Sequence, residues 1–253
     1  MKKTIFCFFA VAMLLASCAS HYEVSGISRG RILVDKTYDK SSDPRGTAFL
    51  SSYKTTVDSI MSPVVGHVAD YLYVERPESN LSNLLCDILI WAGKNYDEKP
   101  EFALYNMGGM RAALSPGVVT YGNVLEVAPF ENKICFFDLK GKDVQELFEQ
   151  VAMIHGEGVS HGVELVITKE GKLKSAKLNG EPIEPERTYR VAYIAYIDEG
   201  NGGLVALQKK TNVNSPKEES NNSRFVIMDY FREMEAQGKV VSAKVEGRII
   251  EVE

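Results

Sequence analysis

Two short segments hold the side chains best suited to grip a ligand. The first, Asn106-Met107-Gly108-Gly109-Met110-Arg111, sets a double glycine beside an arginine. Glycine lets a backbone approach an anion closely, and the guanidinium is a planar, permanently charged fork that pairs bidentately with phosphate or carboxylate. The second, Pro129-Phe130-Glu131-Asn132, adds an aromatic ring and a carboxamide, which suit the face and edge of a nucleobase. The structural alternatives are a tight strand-to-helix turn, with Arg111 as a surface cation and Phe130 as a core ring. Metal and nucleophilic chemistry find no comparable constellation. His21 lies in a polar stretch, His67 in an isolated apolar run, and His155 and His161 in a glycine-rich loop. With Glu157 these last two form at most a weak metal grouping, which a solvent-facing loop explains better. Cys86 and Cys135 sit in apolar helical and strand runs without a histidine neighbour, so they read as buried free thiols rather than a disulfide, nucleophile or zinc site. No catalytic residue and no metal ligand is assigned to this chain.

The N-terminus reads as an export signal. Lys2 and Lys3 form a positive start, Ile5 to Leu15 an apolar core too short to span a bilayer, and Leu15-Ala16-Ser17-Cys18 is similar to the lipobox of bacterial lipoproteins. Residues 1–17 are therefore expected to be a signal peptide, with Cys18 the lipid-bearing first residue and residues 18–45 a polar, lipidated tether. Several acyl chains on one residue make a firm anchor, whereas a single chain binds marginally. Removing 1–17 takes two lysines and no acid from 29 basic and 34 acidic residues, which moves the net charge from −5 to −7. Such an acidic chain is unsuited to long nucleic acid, whose phosphates call for a basic stripe, but a local arginine still serves a small anion.

These residues must be positioned by a mixed set of elements. Phe49, Tyr53, Val57 and Ile60 share one face of a helix from Thr47 to about Met61, stopped by Pro63; Val64 to Val74 reads as extended. Ser79 is the N-cap of a helix carrying Leu81, Leu84, Leu85, Ile88, Trp91 and Ala92, with Gly93 and Asn95 as stops. A strand at Phe102 to Tyr105 leads into the Asn106–Arg111 turn. Thr120 caps a short helix to Val127, Lys133 to Leu139 is a strand, and Val144, Leu147, Phe148, Val151 and Ala152 line a further helix. Strands follow at Val163 to Thr168, Leu173 to Leu178 and Tyr189 to Tyr196, the first two joined by a Lys169–Lys172 hairpin turn. Residues 209–222 read as a polar mobile loop, Arg224 to Ala236 as the last helix, and Val240 to Val252 as a closing strand or hairpin. The fold class is α+β (mixed α/β): a single domain over residues 46–253, with a mixed sheet packed by helices and no regular βαβ rhythm.

From about residue 45 to 252 the chain resembles the C-terminal, nucleotide-binding domain of the periplasmic and extracellular 5′-nucleotidases. The resemblance rests on landmarks in order: Glu78-Ser79-Asn80-Leu81-Ser82-Asn83-Leu84-Leu85-Cys86-Asp87, the N-x-G-G-x-R turn at Asn106–Arg111, Tyr121-Gly122-Asn123-Val124-Leu125 leading to the P-F-x-N segment at Pro129–Asn132, Leu139-Lys140-Gly141, and Gly180-Glu181-Pro182-Ile183 before Tyr189-Arg190-Val191-Ala192. It implies that Arg111 faces the phosphate, that Asn106 hydrogen-bonds the ligand, and that Gly108 and Gly109 belong to the substrate-binding turn. It also implies that Phe130 and Tyr196 stack on opposite faces of the base, and that Asn132 reaches its edge or supports the loop. One departure stands out. The family's G-G-D-G segment is aligned with Gly200-Asn201-Gly202-Gly203, so Gly202 replaces an aspartate that accepts two ribose hydroxyl bonds. That loss costs on the order of 2–3 kcal/mol unless Asp198, Glu199 or Asn201 substitutes from a displaced loop.

In that family a separate metallophosphatase domain carries two divalent metals, and its D-x-H, N-H-[DE] and G-H-x-H segments are absent here. The implied function is the nucleotide-holding half of a split 5′-nucleotidase in nucleotide catabolism, with a separately encoded metallophosphatase as partner. The expected place is the bacterial envelope, lipid-anchored and facing the periplasm or exterior. The alternative is a lipoprotein that binds nucleotides or nucleosides without an enzyme partner.

Overall fold

The computed structural model describes residues 22–37, 43–195 and 201–253. The chain divides into two units, Met1–Leu50 and Ser51–Glu253. In the first, residues 22–34 run exposed without helix or strand. Helix α1, Pro44–Met61, starts with proline in its first turn, where the missing N–H costs nothing. Its Phe49, Tyr53, Val57 and Ile60 share a face as expected, yet none of its residues is buried. No described helix is long and apolar enough to cross a membrane.

The second unit holds the core, and its central feature is a five-stranded mixed sheet ordered β10-β4-β9-β2-β5. Its strands are β2 (Phe102–Tyr105), β4 (Ile134–Lys140), β5 (Gly158–Val159), β9 (Thr188–Ile194) and β10 (Thr211–Asn214). β9 lies parallel to β2 and antiparallel to β4. All four β2 residues and most of β4 and β9 are buried, which explains why these strands are apolar runs rather than alternating ones. A two-stranded antiparallel ribbon pairs β1 (Val64–Val68) with β3 (Gly117–Thr120). A four-stranded sheet is ordered β11-β6-β7-β8, from β6 (Val163–Thr168), β7 (Leu173–Leu178), β8 (Glu181–Pro182) and β11 (Ile249–Val252).

The helices begin where their sequence signals place them. In α2, Asn80–Ala92, Ser79 and Ser82 form a reciprocal capping box: the Ser82 amide donates to Ser79 Oγ at 3.3 Å and the Ser79 amide to Ser82 Oγ at 3.2 Å. Thr120 and Asn123 repeat the device at α3, Tyr121–Val127. Helix α4, Gly141–Met153, turns Val144, Leu147, Phe148, Val151 and Ala152 inward, and its Phe148 ring lies 5.5 Å from that of Phe102. Helix α5, Ser223–Ala236, packs against β1 and α2. Cys86 and Cys135 are both buried, and burial pushes the Cys86 thiol well up.

One sequence expectation is corrected and another is narrowed. Residues 209–222 are not simply a loop: β10 pairs antiparallel with β4 as an edge strand. The polar side chains that suggested solvent are fasteners. Arg190 on β9 donates to Glu98 at 2.6 and 2.7 Å, to Asp138 at 3.0 Å and to the Asn212 carbonyl at 2.6 Å, while Asn214 donates to Glu98 at 2.8 Å. Of the closing strand or hairpin expected over Val240 to Val252, the strand forms, at Ile249–Val252. Val241 bridges Val68, whereas Ile249–Val252 runs parallel to β6, so the two ends of the segment serve different partners.

Ser79→Ala removes a buried cap and is expected to lower stability by about 1–2 kcal/mol in denaturant unfolding. Hydrogen bonding from Arg190 holds the Glu98 carboxyl below its ordinary value of 4.5. Its stabilising contribution is therefore full above that value and is lost as pH falls through the depressed folded-state pKa. Glu98→Gln should flatten the acid limb of the stability–pH profile below 4.5, measured by thermal melts across that range.

Candidate functional site

The site follows from strand direction. Because β2 and β9 run parallel and β4 runs against them, the ends of β2 and β9 and the start of β4 lie at one edge of the sheet. Asn106 directly follows β2, Asn132 shortly precedes β4, and the Ala195 amide donates to the Lys133 carbonyl at 2.7 Å. Asn106, Gly108, Gly109, Arg111, Phe130 and Asn132 together line one cleft of about 180 Å³. Tyr196, Cys18 and His21 lie outside the described residues, as do Asp198, Glu199 and Gly200.

Met107–Gly109 form a single 3-10 turn with Asn106 as its cap. The Gly108 amide donates to Asn106 Oδ1 at 2.9 Å, the Gly109 amide to the Asn106 carbonyl at 2.9 Å and the Met110 amide to the Met107 carbonyl at 3.1 Å. The carboxamide oxygen of Asn106 is thus committed to the turn, and its Nδ2 is the group left to donate outward. Neither glycine has a positive φ. A Cβ on Gly108 would meet only the Asn106 side chain, from 3.1 Å, and one on Gly109 would meet nothing nearer than 4.0 Å. Backbone conformation therefore does not demand glycine at either position. What the two glycines leave is a bare backbone surface on the cleft.

Arg111 is exposed, with Nη1 donating weakly to the Gly108 carbonyl at 3.3 Å. Its own amide is fixed by the Val127 carbonyl at 3.0 Å, which ties the turn to the end of α3. Phe130 is 47% exposed, unlike the buried rings of the core, and so is not a core aromatic. Its loop is held from α5: Arg224 Nη2 donates to the Pro129 carbonyl at 3.1 Å, and the Ser223 amide to the Asn132 carbonyl at 2.8 Å. Gly202 adopts φ +78, a left-handed conformation that glycine accepts at no steric cost.

The possible metal grouping dissolves in three dimensions. His155 approaches Glu251 at 3.7 Å, and His161 pairs with Glu246 at 3.1 Å. Glu157 is 4% exposed and does not belong to a solvent-facing loop; it lies beneath the turn and accepts the Met107 amide. His67 pairs with Glu235 at 2.8 Å. Among the described residues no group of three or more His, Cys, Asp or Glu could hold a metal, and these donors do not fit a dimetal centre. Sequence reading did not assign Glu157 or Arg224 a place beside the cleft, because each reaches it from a remote element.

The model of the family described as 5′-nucleotidase, C-terminal domain, matches residues 64–209. The chain belongs to that family. Protein UshA of Escherichia coli (strain K12) is 34% identical to this 5′-nucleotidase C-terminal domain over 167 residues, which cover 64% of this chain and 30% of UshA. Endonuclease YhcR of Bacillus subtilis (strain 168) is 31% identical over 186 residues, covering 70% of this chain and 15% of YhcR. The crystal structure of the 5′-nucleotidase precursor from Thermus thermophilus superposes with a TM-score of 0.71 at 30% identity, covering 82% of this chain and 43% of that one. The chain thus spans less than half the length of each of these relatives, and its mixed fold is that of the 5′-nucleotidase C-terminal domain.

Gly109→Ala tests whether that glycine serves the fold. With negative φ and room for a methyl group, the variant should melt at the wild-type temperature or slightly above it, since removing glycine adds about 0.4–1 kcal/mol through the unfolded chain. A clear loss of stability would show that the backbone itself requires glycine.

Proposed function

We propose that this 5′-nucleotidase C-terminal domain is the nucleotide-holding half of a split 5′-nucleotidase, anchored to the bacterial envelope through lipid on Cys18. The observation that carries the reading is the convergence of six residues from two separate turns on one cleft in a chain of this family. In this reading Arg111 takes the phosphate bidentately, beside the bare Gly108–Gly109 backbone. Phe130 stacks on one face of the base and Tyr196 on the other, while Asn106 and Asn132 address its edge. Stacking contributes roughly 1–3 kcal/mol per ring with little dependence on base identity. Stacking, phosphate and edge contacts together are the contributions from which micromolar binding, about −8 kcal/mol, would be built.

The chemistry is assigned elsewhere. Two divalent metals held by a separately encoded metallophosphatase would supply the attacking hydroxide and neutralise developing charge. This chain's own part is to hold and orient the nucleotide, and positioning alone accelerates a reaction without any catalytic residue.

With AMP and divalent metal, the purified chain should release no phosphate, and turnover should appear when the metallophosphatase is added. Phosphate released by the chain alone would sink the proposal. Binding is read separately by calorimetry with AMP, adenosine and a nucleotide sugar. Phe130→Ala should abolish binding of AMP and adenosine alike, whereas Arg111→Ala should weaken AMP selectively. Tight binding with no partner that restores turnover would instead mark a solitary nucleotide-binding lipoprotein.

A further inference from the structure

Glu157 is a buried acid against the turn that lines the cleft, and the nucleotide reading gives it no task. Its Oε1 accepts the Met107 amide at 2.5 Å and the Gly158 amide at 3.3 Å. Its Oε2 lies 3.6 Å from Arg76 Nη2, and Arg76 Nη1 donates to the Ile154 carbonyl at 2.9 Å. One carboxylate therefore joins three segments: the loop before α2, the loop between α4 and β5, and the turn that floors the cleft. Gly158 makes this approach possible. A Cβ there would stand 2.7 Å from the Tyr105 carbonyl oxygen and 3.0 Å from Cys86 Sγ, so only glycine lets β5 close against the end of β2.

The Met107–Gly109 turn needs such an anchor. Its internal hydrogen bonds engage the amides of Gly108, Gly109 and Met110, which leaves the Met107 amide with no partner inside the turn. Met107 is buried, and a buried N–H without a partner is costly. Two of the three residues are glycines, the type with the most backbone freedom to lose. An ordered turn of this composition depends on restraint from outside. Burial raises the Glu157 pKa, with hydrogen bonds from Met107 and Gly158 and the Arg76 charge opposing it. The same contacts that fix the turn thereby keep the carboxylate tolerable in the interior.

We infer that Glu157 is a positioning residue, which fixes the Met107–Gly109 turn through the Met107 amide so that its bare backbone and Arg111 meet the phosphate end of a nucleotide. The inference rests on the nucleotide reading of the cleft. It bears on phosphate recognition more than on base recognition, because the Phe130 loop is held independently by Arg224 and Ser223 and the turn offers the base only Asn106.

The test is calorimetry of AMP and adenosine with the full chain and its Glu157 variants. Glu157→Ala should weaken AMP about tenfold or more, the scale of one lost buried hydrogen bond to a charged group, while adenosine changes less than about threefold. Glu157→Gln keeps an oxygen where Oε1 accepts both amides, and should restore AMP binding to within about threefold of wild type. A merely structural role predicts otherwise, with both ligands weakened together or with both variants equally poor, and either result overturns the inference. If the alanine variant fails to fold, Glu157→Asp replaces it: the shorter carboxylate cannot span to Met107, and wild-type AMP affinity in that variant overturns the inference. Wild-type protein that binds neither ligand overturns the nucleotide reading and this inference with it. AMP binding equal in wild type and a folded Glu157→Ala overturns this inference alone.

Discussion

The pairing of β9 with a parallel neighbour on one side and an antiparallel neighbour on the other is the constraint on which the rest of the molecule depends. A parallel pair requires a long connection, and here the chain between β2 and β9 contains α3, α4, β4 and most of the small sheet. That excursion is what returns β4 alongside β9 in the opposite sense. The consequence is geometric. Two strand ends and one strand start share an edge of the sheet, so turns separated by many residues face one another across a small cleft. The register places Phe136 opposite Ala192 and Ile134 opposite Ile194, all of them buried.

Around that edge, rigidity comes from polar contacts made by distant elements. Arg224 and Ser223 at the start of α5 hold the Phe130 loop through backbone carbonyls, and Glu157 holds the glycine turn through a backbone amide. Several residues that mark the family serve the scaffold in the same way. Glu78 accepts from Asn83 at 2.6 Å and from the Glu246 amide at 2.8 Å, and Asp87 receives the buried Arg248 guanidinium at 2.7 and 2.9 Å. These contacts secure the C-terminal segment to α2. A landmark of the family is therefore not automatically a ligand contact: the Glu78–Asp87 stretch is structural, while the Asn106–Arg111 stretch lines the cleft.

The local signals were legible because they act over three or four residues. Ser79 and Thr120 cap the helices that their spacing announced, and the inward face of α4 is the one read from Val144, Leu147, Phe148, Val151 and Ala152. The misreadings share one cause. Asn212 and Asn214 look like solvent-facing polar residues until Arg190, Asp138 and Glu98 are brought beside them. Val240 to Val252 looks like one element until its two ends meet different strands. Glu157 looks like a loop carboxylate beside two histidines until burial turns it toward Met107.

Residue types and short spacings by themselves determined the helix boundaries, the apolar strands, the family landmarks and the set of side chains suited to a nucleotide. These follow from hydrogen bonding and periodicity within a few residues, which a linear chain displays directly. Tertiary structure alone decided that six of those residues line a single cleft, that Phe130 stays half-exposed while other rings are buried, and that Glu157 lies under the turn. Each of these depends on which strands become neighbours and in which direction they run. That is a cooperative property of the whole buried sheet, and no short stretch of sequence carries it.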